Sequence, residues 1–196
     1  SLTGGAGNNT FTFGASGSLA GNIDGAGGSD TLARDADFTL TAANAGNATG
    51  IGSFTSIENL TGGAGNNTFT FGASGSLAGN IDGAGGTGDS IHLAAVAGAN
   101  TVNLDAGTIS GVLTGTFSNV ESFTGDNVAD VLVGDVDFSI TNANDGTAGG
   151  FAFTDFFSLT GGAGNNTFTF GASGSLAGNI DGAGGSDTLA RDADFT

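Results

Sequence analysis

The chain has 196 residues, 40 of them Gly, and a formal net charge of −17 from 19 acids against two Arg, with no Cys, Pro, Met, Trp or Tyr. With no basic patch to neutralise phosphates, nucleic acid is excluded as a partner, and an anionic membrane surface would repel the chain. No apolar run approaches the roughly 20 residues of a membrane span, and without Cys there is neither a disulfide framework nor a Cys–zinc site.

Short apolar runs recur along the whole length. They centre near Leu2, Phe11, Ile23, Leu32, Leu40, Ile51, Leu60, Phe69, Ile81, Ile91, Val102, Val112, Val120, Val131, Phe138, Phe151, Leu159 and Phe168. The average step is about ten residues, and turn-forming Gly, Asn, Asp and Ser lie between the runs. Within a run, apolar and polar residues alternate, as in Thr10-Phe11-Thr12-Phe13 and Asp137-Phe138-Ser139-Ile140. That is the two-residue period of a half-buried strand, and no stretch sustains a helical period.

The runs belong to a repeat. Residues 2–28 return unchanged at 60–86 and at 159–185, and residues 1–39 return as 158–196, which sets a period of 157 residues. We read 1–196 as one continuous unit, with variable segments between the copies. A sandwich closes around one core and cannot be lengthened by copying a block, whereas a stack of strands can. The copies are offset by 58, 99 and 157 residues. At roughly ten residues per strand these offsets hold six, ten and sixteen units, all even. The expected fold is therefore all-β, a two-faced parallel β-solenoid of about two strands and 20 residues per rung. The even counts further predict that all three copies occupy equivalent positions on the same face.

The turn text carries the candidate ligands. Gly25-Ala26-Gly27-Gly28-Ser29-Asp30-Thr31-Leu32 and its copy ending Asp187-Thr188-Leu189 place an Asp two residues before an apolar one, as does Asp130-Val131-Leu132. These turns resemble the glycine-rich nonapeptide of RTX (haemolysin-type calcium-binding) proteins, in which Asp carboxylates and backbone carbonyls hold Ca²⁺. The resemblance implies Ca²⁺ as a possible cofactor, with Asp30, Asp130 and Asp187 as its ligands. The turns at Asn9, Asn67 and Asn166 have an amide in the Asp position, so no cation is expected there. Ser56-Ile57-Glu58-Asn59-Leu60 and Asn119-Val120-Glu121-Ser122 are similar to the β-strand repeats of giant bacterial tandem-repeat surface adhesins.

Other groupings point away from catalysis. His92 is the only His and has no obvious partner for a triad or a zinc site. Arg34, Asp35 and Asp37 read as a solvated turn with a local ion pair. Thr10 and Thr12 form a Thr-x-Thr pair that does not recur on every run. No enzyme activity is expected. The resemblance implies a structural segment of an extracellular bacterial fibre or giant surface adhesin, at the cell surface or in a biofilm. It also implies end-to-end continuation into a filament and contact with cell-surface or matrix components. The alternative it leaves open is a calcium-binding module that folds or stiffens on secretion.

Overall fold

The computed structural model describes residues 1–191; the last five residues of the restarted repeat, 192–196, lie outside it. The chain forms strands throughout, with no helix among the described residues. The first copied block and its sequel give β1 (Leu2–Thr3), β2 (Thr10–Phe13), β3 (Leu19–Asp24) and β4 (Thr31–Arg34), followed by β5 (Phe38–Ala42), β6 (Ala45–Ala48) and β7 (Ile51–Thr55). The second block gives β8 (Asn59–Thr61), β9 (Thr68–Phe71) and β10 (Ile81–Asp82), then β11 (Ser90–His92), β12 (Thr101–Asn103), β13 (Thr108–Ile109), β14 (Phe117–Ser118), β15 (Ser122–Thr124) and β16 (Val131–Val133). The chain closes with β17 (Phe138–Asn142), β18 (Asp145–Ala148), β19 (Phe151–Thr154), β20 (Ser158–Thr160), β21 (Thr167–Phe170), β22 (Ile180–Asp181) and β23 (Thr188–Arg191).

Three sheets result. The largest has 13 strands in the order β1-β3-β7-β6-β5-β9-β11-β15-β19-β18-β17-β21-β23. Two five-stranded sheets run β14-β10-β8-β4-β2 and β13-β12-β16-β20-β22. Most pairs are parallel and in register. Apolar residues therefore stack directly: Phe38 on Phe69, Phe69 on Ile91, Ile91 on Phe123, and Phe123 on Phe153. All five are at most 1% exposed. The rings of Phe38 and Phe69 lie 5.2 Å apart and nearly parallel, and Phe138 on Phe168 repeats this at 4.8 Å. Burying each Phe contributes on the order of 1.5–3 kcal/mol, so these files are a main source of cohesion between neighbouring strands.

The 20-residue, two-strand step holds inside the copied blocks and at their exits, where Phe11 pairs Leu32 and Phe69 pairs Ile91. Leu2 pairs Ile23, Leu60 pairs Ile81 and Leu159 pairs Ile180, each 21 residues on, with one strand between. Between blocks the step lengthens. Leu32 pairs Leu60, Ile91 pairs Phe123 and Ile81 pairs Phe117, separations of 28, 32 and 36 residues. Two antiparallel meanders, β5-β6-β7 and β17-β18-β19, and the hairpin β12-β13 take up the added length.

β6 (Ala-Gly-Asn-Ala) and β18 (Asp-Gly-Thr-Ala) lack the large apolar alternation of a strand, and their text reads as turn. They are strands because neighbours on both sides bond their backbones. The approach is close: a Cβ on Gly46 would lie 1.9 Å from the carbonyl oxygen of Thr39, and one on Gly146 1.9 Å from that of Ser139. Asn44 and Asn144 turn the corner before β6 and β18 at φ of 52° and 58°, a left-handed conformation that Asn tolerates well.

The meander also overturns the expectation that all copies share a face. Leu2 and Ile23 lie in the 13-stranded sheet and Phe11 in a five-stranded one, whereas Leu60 and Leu159 lie in five-stranded sheets and Phe69 and Phe168 in the large one. Leu40 and Ile51 were two of the six units counted between the first copies. Both stand in the large sheet, joined by β6, so the chain changes sheet an odd number of times over 58 residues. Between the second and third copies the chain passes into and out of the large sheet eight times, an even number, so both copies begin in a five-stranded sheet.

Candidate functional site

The turn carboxylates form a recurring arrangement. Asp30 Oδ1 accepts the backbone N–H of Asn9 at 2.7 Å, Asp89 Oδ1 that of Asn67 at 2.6 Å, Asp130 Oδ1 that of Asn100 at 2.8 Å, and Asp187 Oδ1 that of Asn166 at 2.9 Å. Each Asp reaches back to the turn on the strand before its own. Its backbone then reaches forward. The N–H of Asp30 donates to Glu58 Oε2 at 2.7 Å and that of Asp89 to Glu121 Oε2 at 2.8 Å. Their carbonyls accept the N–H groups of Glu58 and Asn59, and of Glu121 and Ser122. One Asp thus ties three successive strand layers together.

Asp30, Asp89 and Asp130 are buried, at 0%, 1% and 0% exposure, whereas Asp187 is exposed. Burial raises the pKa of Asp89 and Asp130 above the ordinary carboxylate value. At Asp89 the nearby Glu121, Asp35 and Asp82 push the same way and the Asn67 N–H pushes against. At Asp130 the hydrogen bonds from Asn100 and the N–H of Asp126 oppose the burial.

The Asn turns are built for donation. Asn9, Asn67 and Asn166 each accept, on Oδ1, the N–H of the Gly four residues earlier, at 2.7, 2.7 and 2.9 Å. The amide nitrogen of Asn67 donates to Asp35 Oδ1 at 3.1 Å and to the Ala36 carbonyl at 3.2 Å. Asn166 does the same to Asp135 and Val136, both at 3.2 Å. A carboxylate has no donor for these partners. Asp130 closes its own turn with the same reach, its Oδ2 accepting the N–H of Asp126, four residues earlier, at 2.8 Å.

Asp30, Asp130 and Asp187 therefore stand in separate turns. Among the described residues no three His, Cys, Asp or Glu side chains converge on a point that could hold a metal. Ca²⁺ takes six to eight oxygens. Both carboxylate oxygens of Asp130 are occupied by N–H donors, and Asp30 has only Oδ2 free of a donor. Of the three expected ligands, Asp30 keeps a buried carboxylate oxygen without a donor.

Asp89 was missed in the sequence, although it shares the Asp-x-apolar spacing of Asp30 and Asp130 through Ile91. Glu58 and Glu121, which the sequence marked only as part of the adhesin-like phrases, complete the arrangement. The expected ion pair of Arg34 is replaced by other contacts. Its guanidinium, 9% exposed, lies over the Phe13 ring at 5.7 Å and donates to the Gly17 carbonyl. Asp35 and Asp37 instead accept the N–H groups of Gly65 and Thr68.

The outer face of the large sheet holds a second feature. One file pairs Thr39, Thr70, His92, Thr124 and Thr154 across five strands. The next pairs Thr68, Ser90, Ser122 and Ala152, and continues through Thr147 and Ser139 to Thr169. Burial lowers the pKa of His92, against the pull of Asp37. A surface cleft of about 340 Å³ beside Phe117 and Phe151 contains one carboxylate, Asp105, whose Oδ2 accepts the N–H of Asp135 at 2.8 Å. Comparison with protein-family models, curated proteins and solved structures finds no match.

Proposed function

We propose that this chain is a structural segment of an extracellular bacterial fibre or giant surface adhesin, a parallel β-solenoid with no catalytic role. The observation that carries this reading is the 21-residue parallel pairing inside every copied block, which stacks like residues in register. Such pairing adds layers along one axis without closing a core, so copying a block adds length. The carboxylates serve the scaffold, capping the turns of neighbouring layers. The acidic surface keeps fibres apart and soluble. The words bacterial, extracellular and adhesin rest on the likeness of the strand repeats. The calcium-module reading has weaker support: the carboxylate oxygens without donors at Asp30 and Asp89 are single atoms in separate turns.

Electron microscopy of chains carrying one, two and three 157-residue periods tests the reading. Thirteen strands at ~4.8 Å span roughly 60 Å. Rods whose length rises in proportion to the number of periods are expected. Compact particles of unchanging length would sink it.

A further inference from the structure

We infer that the hydroxyl-lined outer face of the 13-stranded sheet is a lateral interface that takes the same face of a second copy of this chain. The inference deepens the fibre reading and rests on it for its consequence, the bundling of fibres side by side.

Three observations carry it. First, the face carries little charge in a chain of formal charge −17: β9, β11, β15, β17, β19 and β21 contain no Asp, Glu, Lys or Arg, and β18 among them contributes one carboxylate, Asp145, at its first residue. Asp37 and Asp137 stand at its margin, where they accept the N–H groups of Thr68 and Thr167. Two copies repel one another over most of their surface and are least repelled here. Second, the outward side chains are mostly Thr and Ser. A hydroxyl both donates and accepts, so a ladder of hydroxyls is complementary to itself. Small side chains also let two sheets approach to the ~10 Å of stacked sheets. Third, the pairs are in register across the strip, so an identical partner presents the same spacing along its whole length.

The size of the strip sets the strength. Seven strands at ~4.8 Å and a width of two to three residues make roughly 300 Å² per copy, against about 800 Å² per partner in a stable interface. One chain should pair weakly, and pairing should strengthen as repeats are added. A two-fold arrangement suits such a face, because each copy then offers the same patch to the other.

Sedimentation equilibrium of the 196-residue chain at high salt, up to millimolar concentration, tests this. A monomer–dimer equilibrium is expected. Thr124→Glu, or Thr147→Glu on the antiparallel strand β18 two strands away, should weaken it by about tenfold or more, through like charges brought face to face. Thr124→Ser should leave it unchanged, as should Thr101→Glu, which adds the same charge on a five-stranded sheet. Circular dichroism confirms that each variant is folded. A wild-type chain that stays monomeric throughout overturns the inference, and so does an equal effect of Thr101→Glu. Open-ended growth insensitive to Thr124→Glu would point to end-to-end stacking; it overturns the lateral interface and leaves the fibre reading standing.

Discussion

The backbone N–H of Asn67 donates to Oδ1 of Asp89 at 2.6 Å, joining two turns 22 residues apart in sequence. The other carboxylate oxygen of Asp89 is buried without a donor. The side chain therefore acts chiefly as an acceptor for one backbone amide, a task that needs an oxygen and no charge. Asp89→Asn keeps that oxygen and should change stability by less than about 1 kcal/mol at neutral pH. Asp89→Ala strands the buried amide and should cost about 1–3 kcal/mol. Urea denaturation of the two variants measures the contrast, and equal losses would contradict the acceptor role.

Asp130 should be the more costly loss. It accepts three N–H groups, two from Asn100 and one from Asp126. Asp130→Ala leaves several of these without partners and is expected to lower stability by about 2–4 kcal/mol. A shift in the urea midpoint no larger than that of an exposed control such as Asp105→Ala would show that the column is dispensable.

Burial raises the pKa of Asp89 and of Asp130 from 3.8, so the folded chain binds these two protons more tightly than the unfolded chain. Between 3.8 and the raised folded values, stability falls as pH rises. Acidification from neutral into that window should therefore raise the denaturation midpoint, and below 3.8 these two groups add nothing more. The Asp89→Asn, Asp130→Asn double variant should show a flatter pH profile. An unchanged slope would remove these carboxylates from the account.

Asn67→Asp separates the scaffold reading from the calcium one. On the scaffold reading it deletes the donor to Asp35 and sets a carboxylate beside Asp35 and Asp89. A loss of about 1–3 kcal/mol is expected, which Ca²⁺ does not restore. On the calcium reading the same change restores a ligand. Thermal melts with and without Ca²⁺ decide, and recovery of the midpoint on adding Ca²⁺ would favour the calcium module.

Gly46→Ala tests the meander. The added Cβ would meet the Thr39 carbonyl oxygen at 1.9 Å, on a strand held from both sides. A loss of at least about 2 kcal/mol is expected, whereas Gly5→Ala, with open space around it, should cost little. Denaturation midpoints of the two variants check this.

Strand text was legible wherever large apolar residues alternate with polar ones. Thr10-Phe11-Thr12-Phe13 and Phe138-Ser139-Ile140 are strands with the expected faces, because alternation is a local property of the chain. Val112 and Val120 were not strand centres: the strands there are Phe117–Ser118 and Ser122–Thr124. The Asp turns were legible as turns. Their partners were not, because Asn9 and Asp30 or Asn67 and Asp89 meet only once the chain has returned to its own edge.

What the sequence determined by itself was the repeat, the all-β character and the set of residues that stack in the core, all properties of composition and short spacing. Only the tertiary structure decided which strands pair, and with that the sheet each copy occupies. β6 and β18 are strands through the bonds of their neighbours, and each turns two expected units into one. The hydroxyl files are likewise a product of pairing: Thr70, His92, Thr124 and Thr154 come from unrelated stretches of sequence and share a face only through register. Register is set by which apolar faces are buried together and by the turns between strands, so it is a relation between runs and not a property of any one of them.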